Sequence, residues 1–227
     1  MNYVILGITA VLCIVMAYFV LDEEKASKIV ALRKLGHGEA YENVTLSKRA
    51  YWAGVICFSV MAVVASYFIA MFAPGIINKI RLSIALLCLT GAAANDLREH
   101  RIPNIFPIVM VITGISCLVA GFLTAQPGWL AYISSCTIAC VATGVCLFLA
   151  YFISGHGIGM GDIKILSALG LMAGVYTICS TIFFAVVTCT LFSVVLLIFF
   201  KKKFKDAVPF GPFIFLGYVV SIVLAIY

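Results

Sequence analysis

Long apolar blocks alternate with short polar connections along the whole chain. The blocks cover about 2–21, 50–73, 80–95, 105–123, 129–153, 163–176, 178–200 and 210–227. Most approach the ~20 residues that a helix needs to cross ~30 Å of hydrocarbon. Their apolar runs are continuous rather than alternating, which argues against a transmembrane β-barrel. The pattern predicts an all-α, polytopic membrane protein with about eight transmembrane helices, of which the third and sixth are the shortest. The first block lacks both a basic leader and a small-residue cleavage site, so it reads as a retained span. No internal repeat or low-complexity linker divides residues 1–227, and a single membrane domain is expected.

Composition agrees with this reading. Of 227 residues, 64% are hydrophobic and 11% charged, a balance outside the range of soluble domains. The charges then orient the spans. All 15 lysines and arginines except Lys79 and Arg81 fall in the connections after the first, third, fifth and seventh blocks. The positive-inside rule places those connections in the cytoplasm and both termini outside. The connection 22–49 is therefore a short cytoplasmic loop, too small for a core of its own. Its Gly36-His37-Gly38 breaks any helix there, and His37 reads as a solvated loop residue. The net charge of +6 sits in connections between spans rather than on one exposed face, which argues against nucleic-acid binding. The nine cysteines all lie inside apolar blocks and form no CxxC pair, so neither a zinc ribbon nor a disulfide framework is expected. Cys136 and Cys140 share a helix face as small packing residues.

Most acidic side chains are ordinary loop charges, including Asp22, Glu23, Glu24, Glu39, Glu42, Glu99 and Asp206. Asp96 and Asp162 alone abut apolar spans, both on the cytoplasmic side. A carboxylate in a transmembrane helix costs about 2.5–3.5 kcal/mol at the centre and less near the interface. Asp96 could merely pair with Arg98 or Arg101. A second carboxylate at the same membrane edge makes the two a candidate catalytic pair. Asp162 follows the run Gly155-His156-Gly157-Ile158-Gly159-Met160-Gly161. Such glycines let backbones approach closely and leave room for an extended peptide. A phosphate cradle would require a strand before the glycines, and a membrane span stands there instead. Lys164 reads as a partner of Asp162 or as a boundary marker, and His100 and His156 as local loop residues. Two carboxylates held close share a proton: one activates water while its protonated partner polarises a scissile carbonyl. That chemistry requires no metal and no cofactor.

Asp96 followed by Arg101-Ile102-Pro103-Asn104, then Gly159-Met160-Gly161-Asp162-Ile163-Lys164, then Pro209-Phe210-Gly211-Pro212 resemble the signatures of type IV prepilin peptidases. These are GxGD-type intramembrane aspartyl proteases. The resemblance spans about 80–227, the expected peptidase core. It implies catalytic aspartates at Asp96 and Asp162. It also implies supporting or substrate-binding roles for Gly159, Met160, Gly161, Lys164, Pro103, Asn104, Pro209, Phe210, Gly211 and Pro212. The implied substrate is a prepilin or pseudopilin whose short basic leader is cut from an apolar helix, typically after glycine. The implied setting is a prokaryotic plasma (inner) membrane, with the site facing the cytoplasm. Bifunctional members carry a cysteine-containing cytoplasmic domain and also N-methylate the product. The cysteine-free loop 22–49 resembles the small branch without that domain, and N-methylation is left open.

Two other readings use the same aspartates. One is a GxGD intramembrane protease with other single-span substrates. The other is an ion or proton transporter, although no inverted repeat supports it. A purely structural assembly subunit would leave the pair without a role.

Overall fold

In a computed structural model of the protein, residues 48–99, 101–124, 128–154, 159–200 and 209–224 are described. The expected first span, the acidic loop 22–49 up to residue 47, Gly155–Ile158, His100 and the basic segment 201–208 lie outside the described residues. The apolar blocks within them are helices: α1 (Lys48–Phe72), α2 (Gly75–Glu99), α3 (Ile105–Leu123), α4 (Trp129–Ile153), α5 (Met160–Phe200) and α6 (Gly211–Val223). Four segments are long and apolar enough to span a bilayer: Gly75–Leu97, Ile105–Leu123, Trp129–Ile153 and Met160–Val194. Ile56–Phe72 and Gly211–Val223 are shorter apolar helices. The chain is a multi-pass helical membrane protein.

The helix at the centre is α2, the block that reads as one of the shortest. It buries Leu82, Ala85, Leu86, Leu89, Ala92 and Ala93, a 3–4 spacing that draws one helix face against its neighbours. On α6, Ile214, Phe215, Tyr218 and Ile222 join this core. The Tyr218 hydroxyl donates to the Leu82 carbonyl at 3.0 Å, so the buried phenol has a partner. Phe58 of α1 meets Phe215 with ring centroids 5.2 Å apart. The outer residues of α3 and α4, among them Ile108, Ile112, Val119, Ile138, Val145 and Phe152, are apolar and exposed, as a lipid-facing surface requires.

α2 starts at Gly75 rather than at 80, which places Lys79 within the helix, and two further boundaries differ from the expected ones. Asp96, Arg98 and Glu99 belong to α2 rather than to a loop. Nothing in Ala92-Ala93-Ala94-Asn95 stops a helix, and the first residue to do so is Pro103, which disfavours helical backbone at Ile102. The expected spans 163–176 and 178–200 are two helical arms in direct succession, together α5, parted at Gly174 rather than at 176–178. Gly174 has φ 82° and ψ 177°, a region essentially confined to glycine. The freed N–H of Val175 donates to Ser135 Oγ of α4 at 3.2 Å.

The packing shows that the chain reverses at Gly174. A side chain on Gly161 would meet Ile102, near the C-terminal end of α2, whereas Gly174 lies against Ser135 and Cys136. Cys136 in turn accepts a hydrogen bond from Arg81, near the start of α2. The second arm then runs back along α6: Ser180 bonds Ser221 at 2.8 Å, Gly217 lies under Thr181 and Ala185, and Phe192 meets Phe213 at 5.5 Å. The two arms are therefore antiparallel, as two separate spans would be, but one glycine replaces the loop. Gly174→Ala is expected to cost about 1–3 kcal/mol, seen as a lower denaturation midpoint in detergent.

Lys79 and Arg81, the two cations set apart by the charge pattern, are buried rather than solvated. Lys79 Nζ donates to the Ala70 carbonyl at 2.8 Å, near the C-terminal end of α1, where a cation is favoured. The Arg81 guanidinium lies 4.3 Å from the centre of the Tyr132 ring, a cation–π contact. Both act as struts between helices, at the end of the bundle away from Asp96.

Candidate active site

Asp96 stands one turn from the end of α2 and Asp162 in the first turn of α5. They belong to helices that meet at one end of the bundle. Both line a single cavity of about 240 Å³ with Arg101, Ile102, Gly159, Met160 and Gly161. Residues 66 positions apart in sequence thus converge on one small space.

Asp96 is held firmly. It is buried, and its Oδ2 accepts the Gly211 N–H at 2.7 Å. Gly211 opens α6, and the Phe210 carbonyl accepts the N–H groups of Phe213 and Ile214 at 3.0 and 3.1 Å. The Gly211 N–H is a first-turn donor without a partner inside its own helix, and the Asp96 carboxylate supplies that partner. Pro212 follows in the same turn, where a missing N–H costs nothing. A Cβ on Gly211 would lie 2.9 Å from both Cβ and Oδ2 of Asp96, so only glycine permits this approach.

Asp162 is half-buried. The Gly159 carbonyl accepts the N–H groups of Asp162 and Ile163 at 3.1 and 3.3 Å and starts α5. The two glycines of this motif do different work. A Cβ on Gly159 would lie 2.9 Å from Asp162 Oδ2, whereas one on Gly161 would lie 3.0 Å from Ile102 Cβ. Gly159 clears the carboxylate, and Gly161 lets the α2–α3 connection pack on the start of α5.

The remaining predicted residues sort by distance from the cavity. Met160 lines it and is partly exposed. Lys164 donates to Asn104 Oδ1 at 3.1 Å, so its hydrogen-bond partner is Asn104 rather than Asp162. This bond ties the start of α3 to the start of α5. The Pro103 carbonyl accepts the Phe106 N–H at 3.3 Å. Phe210 packs partly buried against the core. Pro209 is half-buried just before α6, and neither it nor Pro212 lines the cavity. Ile102 and Arg101 do line it, although sequence reasoning gave Arg101 only a possible pairing and Ile102 no role. Their one signal was membership of the signature run Arg101-Ile102-Pro103-Asn104. Among the described residues no three His, Cys, Asp or Glu side chains converge as metal ligands.

Lys164→Met would remove the tie to Asn104. The bond is exposed, so its worth is about 1 kcal/mol or less. The expected loss in kcat/KM is under about tenfold, and rates of membrane-reconstituted variants would check it.

Residues 83–194 match the sequence model of the type IV leader peptidase family. The chain is a type IV leader peptidase family member. The match includes Asp96 and Asp162 and ends before Pro209, yet the fold carries Gly211 back onto Asp96. No curated protein and no solved structure matches the chain. Membership makes this multi-pass membrane protein a leader-peptidase-like protease.

Proposed function

We propose that the protein is an aspartyl endopeptidase that removes the short basic leader from prepilin or pseudopilin precursors. It works at the cytoplasmic face of a prokaryotic plasma membrane, with Asp96 and Asp162 as the catalytic pair. The observation that carries this reading is the convergence of the two carboxyl groups on one cavity at the edge of the apolar bundle.

The chemistry follows from the geometry. Asp96 Oδ2 accepts an N–H, which favours the ionised form of that carboxyl. The proton needed to polarise the scissile carbonyl resides on Asp162 or on the other Asp96 oxygen. The ionised group takes a proton from water as it attacks, and the protonated group donates to the carbonyl oxygen. Collapse of the tetrahedral intermediate breaks the C–N bond and passes a proton to the leaving amine. The fixed Asp96 supplies orientation, and the half-buried Asp162 is reachable by substrate. Gly159 beside it leaves space for extended backbone.

The test is cleavage by the full chain in liposomes. The substrate is a synthetic precursor with a short basic leader, a glycine and an apolar helix of about 20 residues. The expected product is a single cut after the glycine. Equal cleavage when that glycine is replaced by a bulky residue would favour a broader intramembrane protease. Proton or ion flux that depends on the aspartates, without cleavage, would overturn the protease reading.

A further inference from the structure

The two acids that line the cavity are not placed alike. Asp96 Oδ2 accepts the Gly211 N–H at 2.7 Å in a buried bond. Gly211 is the first residue of α6, so its N–H has no acceptor within that helix. A donor bonded to a carboxylate favours the charged form. Among the described residues no group donates to the Asp162 carboxyl, and the charged neighbour it meets is Asp96. Lys164, two residues on, donates to Asn104 instead. Both carboxyl groups lie at a helix start, Asp162 in the first turn of α5 and Asp96 against that of α6. The helix macrodipole therefore favours charge on either, and the direct donor separates them.

Two carboxyl groups that open on one small cavity share a proton, because ionising the second brings like charges together. From their unequal surroundings we propose that the Gly211 amide fixes where this proton sits: Asp96 is the ionised base and Asp162 the protonated acid. Gly211 is then a positioning residue that acts through Asp96. The inference rests on the aspartyl-endopeptidase reading and assigns the two roles which that reading leaves open.

The cycle closes under this assignment. Water gives a proton to Asp96, through Oδ1, as its oxygen bonds to the scissile carbon. Asp162 gives its proton to the carbonyl oxygen. Asp96 is now protonated and Asp162 ionised. When the C–N bond breaks, Asp96 passes its proton to the leaving nitrogen, and Asp162 takes one back from a hydroxyl of the intermediate. One water and one amide become a carboxyl group and an amine, and both acids are as they began. Oδ2 keeps the Gly211 bond throughout, so the base holds its orientation.

The test removes that N–H and adds no side chain. Glycolic acid inserted at position 211 of the full chain turns the Phe210–Gly211 amide into an ester. The other charged residues at this end of the bundle are Lys48 and Arg49 at the start of α1, Arg98 and Glu99 at the end of α2, Arg101 and Lys164. His100 follows Glu99 in sequence, and α3 and α6 carry no charged residue. All of these are the same in both proteins, so the comparison isolates the donor. It follows kcat/KM for the synthetic precursor in liposomes against pH. Without the donor the charge on Asp96 forms less readily. The rise on the acid side of the profile should move to higher pH by about one unit. The same exchange at Gly217, deeper in α6, should leave it in place. No movement at 211, or an equal movement at 217, would overturn the assignment while leaving the protease reading intact.

Carboxyl NMR signals give a measurement independent of rate, and it decides even if the ester protein cleaves nothing. Of the aspartates at 22, 96, 162 and 206, only Asp162 follows a glycine. Labelled aspartate and glycine in a protein carrying Asp22→Asn and Asp206→Asn therefore tell the two signals apart. At the pH of fastest cleavage the Asp162 carboxyl should be protonated and the Asp96 carboxyl ionised. The opposite order, or two ionised groups, would overturn the assignment alone. No cleavage by the unaltered protein would overturn the protease reading and the two roles with it.

Discussion

Asp162→Asn is expected to abolish precursor cleavage, lowering kcat by about 10³-fold or more, within the range found when a general acid or base is removed. The substitution keeps the shape of the side chain, and residue 162 is only half-buried, so folding should be retained. The amide can donate and accept hydrogen bonds, but it cannot exchange a proton with water or with the carbonyl oxygen. The loss should therefore fall on kcat, with precursor binding preserved, a split that steady-state rates and a binding measurement would separate. Asp96→Asn should be equally inactive and also less stable. Its Oδ2 holds the Gly211 N–H, and an amide placed with its nitrogen there would bury two donors face to face. Near-normal cleavage by either variant would sink the catalytic pair.

Gly211→Val is the second large effect, and it lies at a residue that never meets the scissile bond. The new Cβ would sit 2.9 Å from Cβ and Oδ2 of Asp96 and 3.2 Å from its Cγ. Those atoms belong to a buried side chain on the central helix, so either Asp96 or the start of α6 must shift. A displacement of about 1 Å in a catalytic group can cost about 10²-fold, and that is the expected drop in kcat/KM. Gly211→Ala should lie between the two, because it adds the same first carbon without the branch. The comparison that matters is with Gly217→Val. That glycine lies beneath the Thr181 carbonyl and Ala185, far from the cavity. Gly217→Val should lower the denaturation midpoint of the protein, whereas Gly211→Val should lower activity more than stability. If the two variants lose activity in proportion to stability, Gly211 is a packing residue and the contact with Asp96 is incidental.

The helices were visible in the sequence because a bilayer admits so few solutions. A continuous apolar run near 20 residues must be a helix, and α1, α3 and α4 follow from that rule within about two residues. The rule fails where polarity and position disagree. The end of α2 looked like a loop because Asp96, Arg98 and Glu99 are charged, but charge does not break a helix and Pro103 does. The turn in α5 looked like a short loop near 176–178 because hydropathy cannot see backbone angles. Gly174 is one of several glycines in that block, and only contact with Ser135 and Cys136 distinguishes it. Lys79 and Arg81 were set apart by the charge pattern, but no local pattern shows which carbonyl or ring a buried cation meets.

The candidate site shows the same division. Asp96 and Asp162 stood out because a carboxylate at a membrane edge is costly, and cost is readable from residue type and place alone. Arg101 and Ile102 stood in the quoted signature but were given no role at the site, since a loop arginine and isoleucine carry no such cost. Gly211 was part of a recognised motif, yet its partner could not be named: a hydrogen bond across 115 positions leaves no trace in local pattern. Likewise Gly159 and Gly161 read as one flexible run, whereas one faces a carboxylate and the other faces Ile102.

By itself the sequence determined that this chain is a bundle of membrane helices with two acids placed at their ends. Hydrophobic length and the cost of charge in lipid act residue by residue along the chain. Only the tertiary structure decided that those acids open onto one cavity, that a glycine from the last helix holds one of them, and that α5 doubles back at a single residue. Such contacts depend on which helix faces meet and at what height, and those are fixed by packing between distant segments.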